Sequence, residues 1–286
     1  MIHIIIPVHN RLNFTIDCLN SLKKQDIYNQ FNLIVVDDGS TDGTSEYLKK
    51  NFPEVKILNG DGSLYWGGAI NCGIKYVIKI HKVQDWVLIV NNDVEFTVDA
   101  ISTLIKVSIK EKRKVISSAL TLNFEDKKTI ITSGTIVKSW LFNDTEHILR
   151  GLNINYLTKK SPVKVDLLTG RCLLHPIEIF EIAGNYDCKN FLHYGGDDEF
   201  SMRVKKHGYD TLVCPNSIVF LKTKNQEYKK KLSFKSFQFT FFNIKSSSNI
   251  ISKFYFTMKV VPSYAKLSFF IIGVIKSFYI FFKKKF

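Results

Sequence analysis

Short, almost wholly apolar runs alternate with amphipathic stretches through the first 110 residues, and this alternation constrains the chain more than any other feature. Residues 2–7, 33–36, 55–58 and 86–90 are the apolar runs, with the pattern of strands buried on both faces. Between them, helical spacing of Phe14, Ile16, Leu19 and Leu22 predicts a helix over 12–25. Further helices are predicted over 41–50, with Ser40 or Thr41 as N-cap, and over 68–82 and 99–110. Such alternation predicts an α/β fold with a mostly parallel sheet flanked by helices. Ligands bind such sheets beyond the carboxyl ends of the strands. The pattern is less regular after residue 115, with strands expected at 115–122, 129–137, 165–168 and 217–221 and a helix at 198–206.

Three of the predicted strand ends carry acids. The second strand runs into Asp37-Asp38-Gly39-Ser40-Thr41-Asp42-Gly43, and the strand at 86–90 into Asn91-Asn92-Asp93. Later, Gly195-Gly196-Asp197-Asp198-Glu199 precedes a helix. Each segment alone has an ordinary explanation: a turn with a helix cap, or an acidic first turn set against the helix dipole. Together, carboxylates converging on one crevice are costly unless a cation or a hydrogen-bonding ligand offsets them; a divalent metal bridging to a diphosphate would do so, and oxygen ligands suit Mg²⁺ or Mn²⁺.

The segments Ile6-Pro7-Val8-His9-Asn10-Arg11, Val35-Val36-Asp37-Asp38-Gly39-Ser40-Thr41-Asp42-Gly43-Thr44, Asn91-Asn92-Asp93 and Gly196-Asp197-Asp198-Glu199-Phe200-Ser201-Met202-Arg203 together resemble the family-two glycosyltransferases of the GT-A fold. The rhamnosyltransferase-like branch is the nearest, through Gly60-Asp61-Gly62-Ser63-Leu64-Tyr65-Trp66-Gly67-Gly68-Ala69-Ile70-Asn71; the resemblance spans residues 2–220. It implies a nucleotide-sugar donor, a divalent metal and inversion at the transferred sugar.

The resemblance also implies roles. Pro7, His9 and Arg11 line the nucleotide pocket, and Asp37 or Asp38 holds the nucleobase. Trp66, Gly67, Asn71 and Asn92 close over nucleotide and donor sugar. Asp93 is the metal ligand with Asn91 a weaker one, because Asn91-Asn92-Asp93 stands where the family has Asp-x-Asp. Asp197 is the base, with Asp198 the fallback. Gly170, Arg171 and His193 face the acceptor. Leu221-Lys222-Thr223-Lys224 lacks the His that relatives carry there, leaving the lysines as candidate diphosphate contacts. The implied organisation is a catalytic domain over 1–225, binding donor within 1–115 and acceptor within 116–225, followed by a helical extension over 226–286.

That extension holds an uneven share of the charge. Residues 205–286 contain 16 lysines and two acids, leaving 24 of the 40 basic and 24 of the 26 acidic side chains in the first 204 residues. Thirteen of the 23 phenylalanines fall at or after Phe234. Residues 267–282 form an apolar stretch of 16 broken by Lys276, below the ~20 normally needed to span a bilayer. An interfacial helix with lysines reaching anionic headgroups is expected, the alternative being packing on the catalytic domain or a second subunit. The aromatics accompany long aliphatics without a nucleic-acid module, so nucleic acid is not expected.

The start of the chain reads as a strand rather than a signal peptide. Five scattered cysteines with no CxxC spacing suit a reducing compartment. Trp86 and Trp140 read as packing aromatics, and His81, His147, His175 and His207 show no ligand spacing. The expected protein is thus an inverting glycosyltransferase, peripheral on the inner face of the cell membrane, using dTDP-rhamnose or a UDP-sugar and a glycan or lipid-linked acceptor. A homodimer is left open. Two other readings stand beside it: a catalytically lapsed anchoring subunit, and a sugar-nucleotide nucleotidyltransferase. The second expects a Gly-rich basic loop after the first strand, which Pro7-Val8-His9-Asn10-Arg11 is not.

Overall fold

The computed structural model describes residues 1–157, 161–222 and 233–283. Its first half runs β1 (Ile2–Val8), α1 (Leu12–Lys23), β2 (Phe31–Asp37), α2 (Thr44–Asn51), β3 (Lys56–Asn59), α3 (Tyr65–Ile80), β4 (Trp86–Val90), β5 (Val94–Phe96) and α4 (Ala100–Lys110). The second half continues β6 (Val115–Asn123), β7 (Ile130–Thr132), β8 (Thr135–Ser139), β9 (Asp144–His147), β10 (Val163–Lys164), β11 (Cys172–Pro176), α5 (Ile179–Ile182), α6 (Gly196–Lys206) and β12 (Asp210–Leu221). Three helices follow: α7 (Phe234–Phe242), α8 (Ile250–Val260) and α9 (Lys266–Lys283).

A ten-stranded sheet has the order β10-β12-β6-β11-β4-β1-β2-β3, with β5 and β7 added beside β12 and β6. The β3-β2-β1-β4 side is parallel. Beyond it β11 runs antiparallel to both β4 and β6, so the sheet is mixed rather than mostly parallel. The architecture is GT-A in type: a central sheet flanked by helices on both faces. Successive β1 side chains face opposite sides. Ile4 and Ile6 join the core under α1, α2 and α4, while Ile5 joins the core under α3 and α6. Gly73 lets α3 lie close, since a Cβ there would stand 2.5 Å from Ile5 Cγ2.

Register places the strand ends together. Val8 pairs with Asp37 across β1 and β2, and Ile5 with Ile89 across β1 and β4. Cys172 pairs with Val90, which brings the residues before β11 to the same edge as those after β4.

Several boundaries differ from the sequence expectation. The helix expected from residue 41 starts at Thr44, because Gly43 takes φ +80° and Asp42 Oδ1 accepts from the Thr44 N–H. The strand expected over 129–137 is broken at Gly134, with φ +80°, into β7 and β8. Residues 165–168 contribute one isolated bridge, Thr135 with Leu167, instead of a strand. β11 was not anticipated. It ends in His175-Pro176, and His175 is fully buried with Nε2 3.0 Å from the Tyr186 hydroxyl. Burial drives the His175 pKa down to about 3, so the ring is neutral.

The C-terminal helices pack on the sheet domain. Trp140, at the turn of the β8–β9 hairpin, lies 5.6 Å from the Phe269 ring of α9. Asn143 Nδ2 donates to the Phe269 carbonyl at 2.9 Å, and Lys276 Nζ donates to the Asn143 carbonyl at 2.6 Å. The charge that interrupts the apolar run in sequence therefore faces protein. The helical segment also begins earlier than expected: Ser263–Lys283, 21 residues, is long and apolar enough to cross a membrane by length and composition.

Candidate active site

A cleft of about 920 Å³ opens along the strand ends and is walled on its far side by α8 and α9. Its floor is the β1 and β2 loops, stitched to each other. Asn10 donates its backbone N–H to Ser40 Oγ at 2.9 Å and accepts from the Thr41 N–H at 2.7 Å. His9 Nδ1–H donates to the Asp38 carbonyl at 2.6 Å. Pro7, His9, Arg11 and Asp38 line the cleft.

Asp37 and Asp38 divide their work. Asp38 accepts three backbone N–H groups, Gly62 at 2.8 Å and Leu64 at 3.2 Å on Oδ1 and Tyr65 at 2.9 Å on Oδ2, and so fixes the loop that starts α3. Asp37 is turned away from the cleft and holds its own turn through the Ser40 N–H and the Ser45 hydroxyl.

The start of α3 is also set by close contacts. Trp66 lines the cleft and donates Nε1–H to Asn91 Oδ1 at 2.8 Å. A Cβ on Gly170 would stand 2.4 Å from the Trp66 ring, so only glycine admits the indole there. Gly67 and Asn71 lie behind the surface instead of on it. The Gly67 N–H donates to the Leu192 carbonyl at 2.9 Å, and Asn71 Nδ2 donates to the Tyr186 carbonyl at 2.7 Å. These bonds fasten α3 to the segment preceding α6.

After β4, Asn91, Asn92 and Asp93 all line the cleft in different states. Asn92 is buried and donates Nδ2–H to Thr15 Oγ1 at 2.9 Å. The Asn91 side-chain oxygen already accepts from Trp66. Asp93 places Oδ2 3.1 Å from Arg11 Nη1, while its Oδ1 is buried with no hydrogen-bond partner. An orphaned carboxylate oxygen in a cleft fits a divalent cation that draws its remaining ligands from a diphosphate and water, as Mg²⁺ sites commonly do. Among the described residues no group of three or more His, Cys, Asp or Glu side chains converges, so the protein's share of such a site is small.

Opposite stand Asp197 and Asp198, in the first turn of α6 after Gly195 at φ +86°. Both line the cleft. Asp197 Oδ2 accepts the Gly170 N–H at 2.9 Å, and Oδ1 accepts the Asp198 N–H at 3.1 Å. Burial raises the Asp197 pKa, with these N–H donors opposing the rise. Asp198 rises well above the usual carboxylate range, from burial first and then from the neighbouring Asp197 charge. The arrangement thus favours Asp197 as the anion and Asp198 as the neutral acid. Arg171 lines the cleft, feels the charges of Asp93 and Asp197, and donates Nη1–H to Thr132 Oγ1 at 3.2 Å. His193 also lines the cleft; its Nδ1 is buried without a partner, and burial lowers its pKa, with Lys245 and Arg11 adding to the effect.

The remainder of the Asp197–Arg203 motif is architectural. Glu199 is buried and holds Arg203 by two bonds, 2.8 Å to Nε and 2.9 Å to Nη2. Arg203 in turn donates to the Ala183 and Asn185 carbonyls, locking α6 in place.

The family model described as glycosyl transferase family 2 matches residues 3–164. The chain belongs to glycosyl transferase family 2. This family member is 25% identical over 203 residues to the N-acetylglucosaminyl-diphospho-decaprenol L-rhamnosyltransferase of Mycobacterium tuberculosis, a match covering 65% of each chain. Among solved structures, GalNAc-T7 with UDP, GalNAc and Mn²⁺ superposes at a TM-score of 0.64 and 16% identity, covering 90% of this chain and 48% of that one. Staphylococcus aureus TarS with UDP-GlcNAc gives 0.59 at 16% identity, covering 90% and 66%. These likenesses establish the GT-A fold.

Two further sequence expectations for this family member change. Lys222 is not free to meet a diphosphate, since Asp17 at 2.7 Å and Glu95 both pair with its Nζ; Thr223 and Lys224 lie outside the described residues. Trp140 packs as expected but also lines the cleft. Sequence reasoning missed Lys245 and Lys253 on the far wall, because nothing in the spacing of the tail lysines separates these two from the rest.

Proposed function

We propose that this chain is an inverting, divalent-metal-assisted glycosyltransferase that moves a sugar from a nucleotide diphosphate sugar to a hydroxyl of a lipid-linked glycan. The observation that carries the reading is a pair of carboxylates with opposite surroundings in one cleft. Asp93 offers an unpartnered oxygen, and Asp197 accepts two N–H donors that favour its anion against the effect of burial. Asp197 takes the proton of the acceptor hydroxyl as that oxygen bonds to the anomeric carbon. The bond from that carbon to the donor's phosphate oxygen breaks, and the nucleoside diphosphate leaves. A positioned base of this kind contributes on the order of 10²–10⁴-fold. Asp93 would hold the cation, which would supply charge stabilisation at the departing diphosphate. Arg11 and Arg171 add positive charge beside Asp93.

A dTDP-rhamnose or UDP-sugar donor and a lipid-diphosphate-linked acceptor suit the likeness to the mycobacterial enzyme, whose name states both a diphospho-lipid acceptor and rhamnosyl transfer. Seating on a membrane surface, the inner face in this reading, draws its support for attachment alone from α9, where Leu267, Ile271, Ile275 and Tyr279 recur every fourth residue and are all exposed, Leu267 at 75% and Ile275 at 60%. Such a stripe with flanking lysines suits an anionic bilayer surface.

The test is a thermal-shift screen of dTDP, UDP, GDP and CMP with and without Mn²⁺. A ligand that binds only the folded state raises stability by about 2.7 kcal/mol at a hundredfold excess over Kd. A metal-dependent shift with one base supports the reading. No shift with any of them, in a folded sample, points instead to a lapsed anchoring subunit.

A further inference from the structure

The far wall of the cleft carries a cation that nothing in the proposed donor chemistry uses. Lys253 lies on α8 with Phe256 and Thr257, three and four residues on, so all three share the helix face that lines the cleft. Lys253 is partly buried and has no acidic partner among the described residues. By contrast Arg113, Arg203, Lys205 and Lys222 each lie against a carboxylate. Burial alone lowers the Lys253 pKa. A desolvated, unpaired ammonium is costly unless an anion arrives to meet it.

A second lysine faces the same space. Lys245 lines the cleft, with Nζ 5.6 Å from the Tyr65 ring centre, and it bears electrostatically on His193. Asp38 and Asp93 line the cleft from the strand-end loops and Asp197 and Asp198 from the start of α6, so the two lysines add the opposite sign. Beyond them the lining turns aromatic, with Trp140, Phe256, Phe269 and Phe270. The outward face of α8 shows Ile251, Phe254, Tyr255 and Met258 to solvent, and α9 adds its own exposed stripe. The same cleft thus joins carboxylates, two cations and an aromatic lining, and α8 and α9 carry exposed apolar side chains.

We infer that the α8 wall is the acceptor's phosphate subsite, where Lys253 with Lys245 binds the diphosphate of a lipid-diphosphate-linked sugar and the aromatic lining leads its hydrocarbon chain toward the exposed apolar faces of α8 and α9. This rests on the transferase reading above. It adds a recognition step: the enzyme selects acceptors by their diphosphate, on residues separate from those that hold the donor.

The experiment measures binding of farnesyl diphosphate, below its critical micelle concentration, to the full chain already saturated with Mn²⁺ and the nucleoside diphosphate that binds it best. Farnesol is the uncharged control. Farnesyl diphosphate is expected to bind at least tenfold more tightly than farnesol and without displacing the nucleotide. Lys253→Met is expected to weaken that binding at least tenfold with nucleotide affinity unchanged, and Lys253→Arg to restore it. Lys253→Met removes an unpaired, partly buried charge, so its Tm should equal or exceed that of the native chain, separating lost binding from lost folding. Displacement of nucleotide by farnesyl diphosphate, equal binding of farnesol, or an affinity within twofold in Lys253→Met would each overturn the subsite. Failure of any nucleoside diphosphate to bind would instead overturn the transferase reading, and the subsite with it.

Discussion

Arg11 Nη1 sits 3.1 Å from Asp93 Oδ2, so one oxygen of the sole carboxylate in Asn91-Asn92-Asp93 is engaged by a cation before any ligand arrives. The other oxygen is buried and unpartnered. Arg11 is half-exposed, and two like charges a few ångströms apart in a wet site interact by about 1 kcal/mol. Arg11→Ala should therefore lower the Mn²⁺ concentration giving half-maximal activity by about fivefold. A metal titration of initial rates reads this directly. An unchanged or higher requirement would show that Arg11 does not compete at Asp93.

Asp197→Asn removes the proton acceptor but keeps the side-chain shape and one oxygen for the Gly170 N–H. The expected result is a loss of about 10²–10⁴-fold in kcat with nucleotide affinity unchanged. Because burial raises the Asp197 pKa, the base stays protonated to a higher pH than an ordinary aspartate, whose pKa is ~3.9. The acidic limb of kcat/KM should accordingly lie above pH 4. A limb at or below that value would remove Asp197 as the base.

Asp198 holds its proton more tightly folded than unfolded. Its contribution to stability is complete below the unfolded value of ~3.9 and is lost as pH rises through the raised folded value. Near neutral pH folding must protonate Asp198, which is ionised in the unfolded chain, and Asp198→Asn removes that cost, so it should raise Tm near neutral pH and have little effect at pH 4. The neutral-pH rise is expected to be about 2–4 °C, the shift that about 1 kcal/mol gives in a domain of this size. Paired melts at the two pH values test it, and equal shifts at both would count against a buried, like-charge neighbourhood.

Gly170→Ala forces a methyl into the Trp66 ring, 2.4 Å from where that Cβ must stand. The indole has to move, and with it the bond that occupies Asn91. Activity should fall at least tenfold while circular dichroism is retained. Restoration of activity in Gly170→Ala/Trp66→Phe would narrow the fault to lost room, and no loss in the single variant would show the contact is soft.

Membrane seating is checked by co-sedimentation with phosphatidylglycerol vesicles. Replacing Leu267, Ile271 and Ile275 with serine deletes much of the exposed α9 stripe without touching Phe269, which packs inward. Vesicle binding should drop at least tenfold with Tm unchanged. Undiminished binding would move the attachment elsewhere.

Most of the parallel half of the sheet was legible because β1 and β4 are buried on both faces and write themselves as almost wholly apolar runs, Ile2–Val8 and Trp86–Val90. The acidic strand ends were legible because register forces the residues after Val8, Asp37 and Val90 to one edge. What periodicity missed depended on tertiary contacts. β11 hides a buried His175 whose ring nitrogens are met by the Tyr186 hydroxyl and the Val87 carbonyl, partners brought to it only when the chain folds. Gly134 ends a strand by a positive φ that composition alone does not foretell. The assignment of Asn91 to metal met a competing donor, Trp66, that no local spacing reveals. Lys253 looks like any other tail lysine until α8 is laid against the cleft.

Asn143 grips α9 at two levels, giving its side chain to the Phe269 carbonyl and receiving Lys276 on its own carbonyl. The two points are seven residues apart, ~10 Å along a helix rising 1.5 Å per residue. A rod clasped at two heights on one side cannot roll without turning the hairpin that holds it, and Thr135 and Val137 of that hairpin form part of the cleft rim. The bearing of the apolar stripe and the bearing of the cleft mouth are therefore a single angle. Whatever flat surface receives the stripe also fixes the direction in which the mouth looks.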